Sequence, residues 1–112
     1  MSGRLNYVEL PAAALPETKA FYEAAFGWTL EAFGPSYSGT TTSIVDLGLQ
    51  GDRTEAPRAP LPGVEVDDLG ATLLAVTRAG GRVTKDVFSF PGGRRFHCVD
   101  PSGNEIAVWQ RA

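Results

Sequence analysis

The feature that most limits how this 112-residue chain can fold is an internal repeat, offset by 54 positions. Two stretches begin as strands and continue as helices. The first runs Leu5-Asn6-Tyr7-Val8-Glu9-Leu10, then Pro16 to Phe26, then Gly27. The second runs Leu61 to Val66, then Asp68 to Ala79, then Gly80-Gly81. The shift places Tyr7 on Leu61, Gly27 on Gly81, Gly39 on Gly93 and Val45-Asp46 on Val99-Asp100. Few identities survive, but the turn residues stay in phase without a gap.

Local chemistry supports both helices. Pro16 fits a first helical turn, where its missing N–H leaves nothing unsatisfied. Phe21, Ala25 and Trp28 recur at helical spacing, with Tyr22 and Phe26 beside them. In the second helix Asp67 or Asp68 can cap the N-terminus, and Leu69, Leu73, Val76 and Ala79 make one apolar stripe. Gly80 and Gly81 supply a left-handed stop. Both stripes read as core.

Segments rich in β-formers follow each helix: Thr29 to Phe33, Thr40 to Val45 and Leu47 to Asp52, then Arg82 to Phe88, Arg94 to Val99 and Glu105 to Gln110. The 13 glycines and 8 prolines suit such short strands. The expected class is α+β: a single domain of two βαβββ modules at 5–52 and 61–110, joined by a linker at 53–60. Helices would cover the outer face of a cupped mixed sheet, leaving the inner face to curve around a cavity.

Composition narrows the partners. A net charge of −3 argues against nucleic acid, which needs concentrated Lys and Arg. A single cysteine, Cys98, precludes an intramolecular disulfide and points to the cytoplasm. Neither a secretory h-region nor a bilayer-length apolar run is expected. Gly92-Gly93 lacks the following helix of a phosphate-cradling loop.

The stretches Ala20-Phe21-Tyr22-Glu23-Ala24-Ala25-Phe26-Gly27-Trp28 and Asp100-Pro101-Ser102-Gly103-Asn104-Glu105-Ile106-Ala107-Val108-Trp109-Gln110 resemble the vicinal oxygen chelate superfamily. That superfamily includes glyoxalase I, bleomycin-resistance proteins and extradiol dioxygenases. Ser89 to His97 is also similar to a bacterial, mostly uncharacterised subgroup. The resemblance implies two modules around a cavity, commonly within a homodimer. In metal-dependent members His, Gln or Glu on the first and last strands of each module hold a divalent ion. Carried over, those places fall on Tyr7, Leu61, Ala107 and, by the repeat offset, Arg53. Leucine and alanine offer no donor atom, so the expected set of metal ligands is none. A two-residue slip would bring in Glu9 or Glu65, which share faces with Tyr7 and Leu61.

The remaining site candidates follow from one hairpin. If Asp100 to Asn104 is a tight connection, Val99 lies by Glu105, Cys98 by Ile106, His97 by Ala107 and Arg95 by Trp109. Phe96, Cys98, Ile106 and Val108 then share the helix-packed face. Arg95, His97 and Trp109 share the cavity face and, with Tyr7 and Glu9, form the candidate ligand-binding set. Glu9 and His97 are the candidate catalytic groups, an unperturbed imidazole being suited to proton transfer near neutral pH. An arginine there favours an anionic or carbonyl-bearing ligand. Glu9 serves equally as a general base or as an ion-pair partner of Arg95, and His97 equally as a structural strand histidine.

Three functions stand open. One is a cofactor-free protein binding a small organic molecule in the cavity. Another is a glyoxalase-type lyase or isomerase using Glu9 or His97 with one divalent metal ion. The third is an accessory domain with a vestigial cavity.

Overall fold

A computed structural model describes residues 3–42 and 44–112 of the chain. Tyr7–Leu61 forms one compact unit; the start of the chain through Asn6 joins Pro62–Ala112 in the other. In chain order the described residues form β1 (Gly3–Pro11), α1 (Leu15–Phe26), β2 (Glu31–Ala32), β3 (Tyr37–Gly39) and β4 (Asp46–Gln50), then β5 (Leu61–Val66), α2 (Leu69–Arg78), β6 (Arg82–Phe90), β7 (Gly93–Val99) and β8 (Glu105–Arg111). This α+β pattern is β-α-β-β-β written twice. The strand order is β2-β3-β4-β1 in the first half and β5-β8-β7-β6 in the second. In each, the first strand of the module runs parallel to its last.

The helix ends follow local chemistry. Pro16 stands in the first turn of α1, and Gly27 ends the helix at φ 70, its N–H donating to the Glu23 carbonyl. Asp68 caps α2 through a hydrogen bond accepted from the Ala71 N–H at 3.0 Å. Only Gly80 is left-handed after α2, at φ 98. Gly81 serves close packing instead: a side chain there would press on Val76 and on the Val99 carbonyl.

In the second unit Leu69 of α2 packs with Val66, Phe96, Cys98 and Val108, and Leu73 and Val76 lie against that cluster. The expected stripe of α2 is therefore core, except that Ala79 is exposed. The stripe of α1 is not. No residue of α1 is buried, and Phe21 and Phe26 are each 58% exposed, Trp28 43%. The face of α1 turned to its sheet carries Leu15 and Tyr22, which meet Ala12, Leu30 and Leu49. Phe21 and Ala25 lie one helical step away from that face. Their rings cluster with one another: Tyr22 stacks on Trp28 at 5.7 Å and Phe26 on Trp28 at 5.1 Å.

The expected strand over Thr40 to Val45 is also absent; Ser43 within it lies outside the described residues, as do Met1 and Ser2. Thr40 and Thr42 bend the chain around Asp46, whose Oδ1 accepts from both hydroxyls at 2.8 Å and from the Thr42 N–H at 2.7 Å. Local side-chain bonding of this kind competes with a strand ladder and here displaces it. The repeat offset drifts in consequence. Glu9 pairs with Gly48 and Gly63 with Ala107, so an offset of 54 at the first strand becomes 59 at the last.

Core and surface assignments separate under mutation. Phe96 is 0% exposed, and Phe96→Ala is expected to remove ~3–5 kcal/mol of stability. Phe21→Ala should change it by no more than about 0.5 kcal/mol. Urea unfolding of the two variants measures both, and an equal loss would contradict the packing described.

Candidate functional site

The site candidates of the second unit are placed by strand alternation. Phe96 and Cys98 enter the cluster under α2, so Arg95 and His97 project from the other face of β7. Ile106 and Val108 do the same for β8, sending Ala107 and Trp109 outward with them. The observed register pairs His97 with Ala107, Arg95 with Trp109, Cys98 with Ile106 and Val99 with Glu105, as the turn predicts. That turn is closed by Asp100, which accepts from the N–H groups of Ser102 and Asn104 at 2.9 Å and from the Asn104 side chain at 3.0 Å. Neighbouring strands extend the rows. Lys85 and Gly63 flank the His97–Ala107 pair, and Phe88 and Glu65 flank Arg95–Trp109.

Rings and cations alternate on this face. Phe88 meets His97 edge-on at 5.7 Å, and Phe90 meets Trp109 at 6.1 Å. The Arg95 guanidinium lies over both phenylalanines at 5.1 and 5.4 Å, and that of Arg111 over Trp109 at 5.0 Å. Sequence reasoning missed Phe88 and Phe90 as site residues. Their i, i+2 spacing on a strand was the available signal.

Two nitrogens on the face stand apart. His97 Nε2 and Trp109 Nε1 are buried without a hydrogen-bond partner among the described residues. Each such atom is destabilising by about 1–3 kcal/mol unless something supplies the missing bond. The other imidazole nitrogen, Nδ1, lies 3.6 Å from Glu105 Oε2.

Tyr7 and Glu9 belong to the first unit. Leu10, Leu47 and Leu49 pack toward α1, so Tyr7, Glu9 and Gly48 occupy the opposite face of that unit's sheet. Glu9 is 2% exposed. The hydroxyls of Tyr7 and Tyr37 come together directly over Gly48, where any side chain would collide with both. Tyr37 was not singled out from the sequence, because β3 was not anticipated.

The places at which the resemblance puts metal ligands do not fit an ion. Arg53 is displaced from its expected role: it is exposed in a turn after β4, and strand pairing assigns that place to Gly48. Gly48, Leu61 and Ala107 carry no donor atom, leaving Tyr7 alone. Glu65, one of the two alternative ligands beside Glu9, is committed elsewhere. Its carboxylate takes Arg111 in a bidentate pair at 3.1 and 3.2 Å, accepts from Asn6 at 2.9 Å and lies 3.5 Å from Arg4. Burial alone would raise its pKa, but the Arg111 and Asn6 hydrogen bonds and the charges of Arg111 and Arg4 hold it below the ordinary value. Among the described residues no three His, Cys, Asp or Glu side chains stand together as a metal site.

A separate open groove of about 700 Å³ lies in the first unit, lined by Val8, Trp28, Thr29 and the Thr40–Thr42 segment among others. None of the five candidate ligand residues borders it. Its one ionisable group, Asp46, already holds the threonine loop. Cys98 is buried under α2, and burial pushes its thiol pKa up, with Asp100 and Glu105 adding to it. An inert thiol follows.

His97 departs from the unperturbed histidine expected. Burial first, then the Arg95 charge, lowers its pKa from 6.5 to about 4; Lys85 adds to this and Glu105 opposes it. The imidazole is therefore neutral at pH 7. Because the folded-state value lies below the unfolded one, this group's contribution to stability is complete above pH 6.5 and is lost as pH falls toward 4. Thermal unfolding across that window should show a decline of roughly a few degrees that His97→Gln flattens. A decline of equal slope in the variant would show that His97 is not its source.

Comparisons with known proteins bear on the fold and family. Residues 4–108 match the model of the Glyoxalase/Bleomycin resistance protein/Dioxygenase superfamily. A "Glyoxylase-like domain-containing protein" of Didymella fabae is 31% identical over 125 residues, covering 99% of this chain and 96% of that protein. This relative is fungal, so a bacterial subgroup is not established. A superfamily member from Vibrio splendidus 12B01 superposes with a TM-score of 0.71 at 16% identity, over 99% of this chain and 100% of that one. The Mn(II)-bound glyoxalase of Novosphingobium aromaticivorans gives 0.70 at 19% identity, over 97% of this chain and 40% of that one. These two structures share the fold. With the sequence match spanning nearly its whole length, the chain belongs to the Glyoxalase/Bleomycin resistance protein/Dioxygenase superfamily.

Proposed function

We propose that this protein binds a small organic molecule on the sheet face carrying Arg95, His97 and Trp109, without the divalent ion used by metal-dependent relatives. The observation that carries this reading is the pair of buried, unpartnered nitrogens, His97 Nε2 and Trp109 Nε1, set among aromatic rings. A face meant only for packing would not keep two polar atoms unsatisfied. A ligand-binding surface of apolar rings with a few polar atoms for orientation has this character.

The absence of donors at Gly48, Leu61 and Ala107 supports the metal-free part. A bound ion draws its affinity from deprotonated or neutral donor atoms, and three of the four places offer none.

A library of small aromatic and carbonyl compounds, read by thermal shift, should yield ligands that raise the melting temperature. The shift should persist in excess chelator and disappear in Trp109→Ala. A library without a single stabilising compound would overturn the binding reading. Stoichiometric Ni, Zn, Fe or Mn in protein purified without chelator, or binding abolished by chelator, would overturn its metal-free part.

A further inference from the structure

The two unpartnered nitrogens are not alike, and the difference specifies the ligand. The Glu105 carboxylate is an acceptor only. It lies 3.6 Å from His97 Nδ1, a contact that favours the tautomer of the neutral imidazole with the proton on Nδ1 and a lone pair on Nε2. His97 Nε2 thus requires a donor. The indole Nε1–H of Trp109 is a donor and requires an acceptor. We infer that the ligand of this face is a planar ring compound that donates one O–H or N–H to His97 and accepts one hydrogen bond from Trp109.

This inference rests on the reading that the face binds a small molecule, and it narrows that reading. A carboxylate or phosphate offers acceptors alone and would satisfy Trp109 while leaving His97 Nε2 facing a lone pair. An ammonium group has the reverse defect and would meet Arg95 and Lys85 beside His97. The anionic ligand expected from the arginines is therefore disfavoured. A compound bearing a hydroxyl or amide N–H together with a carbonyl satisfies both nitrogens.

Geometry supplies the apolar setting. Phe88 stands edge-on to His97 and Phe90 to Trp109, giving apolar walls beside each polar atom. His97 and Trp109 are diagonal neighbours on the β7–β8 pair, so both nitrogens belong to one patch of the face. β6, the edge strand of this unit's sheet, pairs irregularly with β7 between Val83 and Lys85 and again between Lys85 and Phe88.

Three probes isolate the two hydrogen bonds: the methyl ester of para-hydroxybenzoic acid, its para-methoxy analogue lacking the donor, and para-cresol lacking the acceptor. By calorimetry the hydroxy ester should bind at least about tenfold more tightly than either analogue. The preference over the methoxy ester should vanish in His97→Phe, and that over para-cresol in Trp109→Phe, each variant keeping a ring in place. Equal affinity for all three would overturn this inference and leave the small-molecule reading standing. So would binding of none of them by a protein that takes other compounds from the library; only a library empty of ligands removes the reading itself. Long-range nitrogen–proton correlation of the imidazole gives a ligand-free check. A proton on Nδ1 is expected, and a proton on Nε2 would overturn the inference.

Discussion

The arrangement of the second unit hangs on one turn. Asp100 closes Asp100–Asn104 with both carboxylate oxygens, and this fixes which residue of β7 lies beside which of β8. Because side chains alternate, a slip of one residue would exchange the two faces. Phe96 and Cys98 would leave the core, and His97 and Arg95 would enter it. The fully buried Phe96 and the register-setting carboxylate therefore act together, one by apolar burial and one by geometry. The environment of His97 is a result of that register: Glu105 and Lys85 come to it through strand pairing, and Arg95 stands two residues before it on the same face of β7.

The poor fit of an ion to the places the resemblance assigns to metal ligands is likewise a matter of pairing. An ion needs donors converging from the first and last strands of both modules. Here strand pairing puts Gly48 and Ala107 on those last strands, and neither can contribute an atom. In the first module the space over Gly48 is taken by the Tyr7 and Tyr37 hydroxyls. In the second, the small Ala107 and Gly63 flank an imidazole that burial and neighbouring cations keep neutral. Glu65, the carboxylate best placed to substitute, is occupied by Arg111, Arg4 and Asn6.

Aromatic residues are divided between two uses. Phe88, Phe90 and Trp109 line the candidate site, whereas Phe21, Phe26 and Trp28 cluster around the outer end of α1. Helical spacing says that apolar residues share a side, but not which side meets the sheet. That choice was made by Leu15 and Tyr22, which reach Ala12, Leu30 and Leu49. The stripe with the most ring atoms lost to the stripe whose members met partners.

Sequence alone determined the β-α-β-β-β repeat, the aspartate cap and glycine stop of α2, and the β7–β8 register with the faces of Arg95, His97 and Trp109. These are local features: strand alternation, capping side chains, left-handed glycines and a tight Asx turn each act within a few residues. Tertiary structure decided what depends on distant partners. The threonines after β3 fold around Asp46 instead of forming a strand, which moves the first module's last-strand place from Arg53 to Gly48. Burial, Arg95 on the same strand and Lys85 on its neighbour lower the pKa of His97 well below that of an ordinary histidine. The orientation of α1, the commitment of Glu65 and the unpartnered His97 Nε2 depend on which distant groups meet in the fold, and no spacing along the chain encodes that.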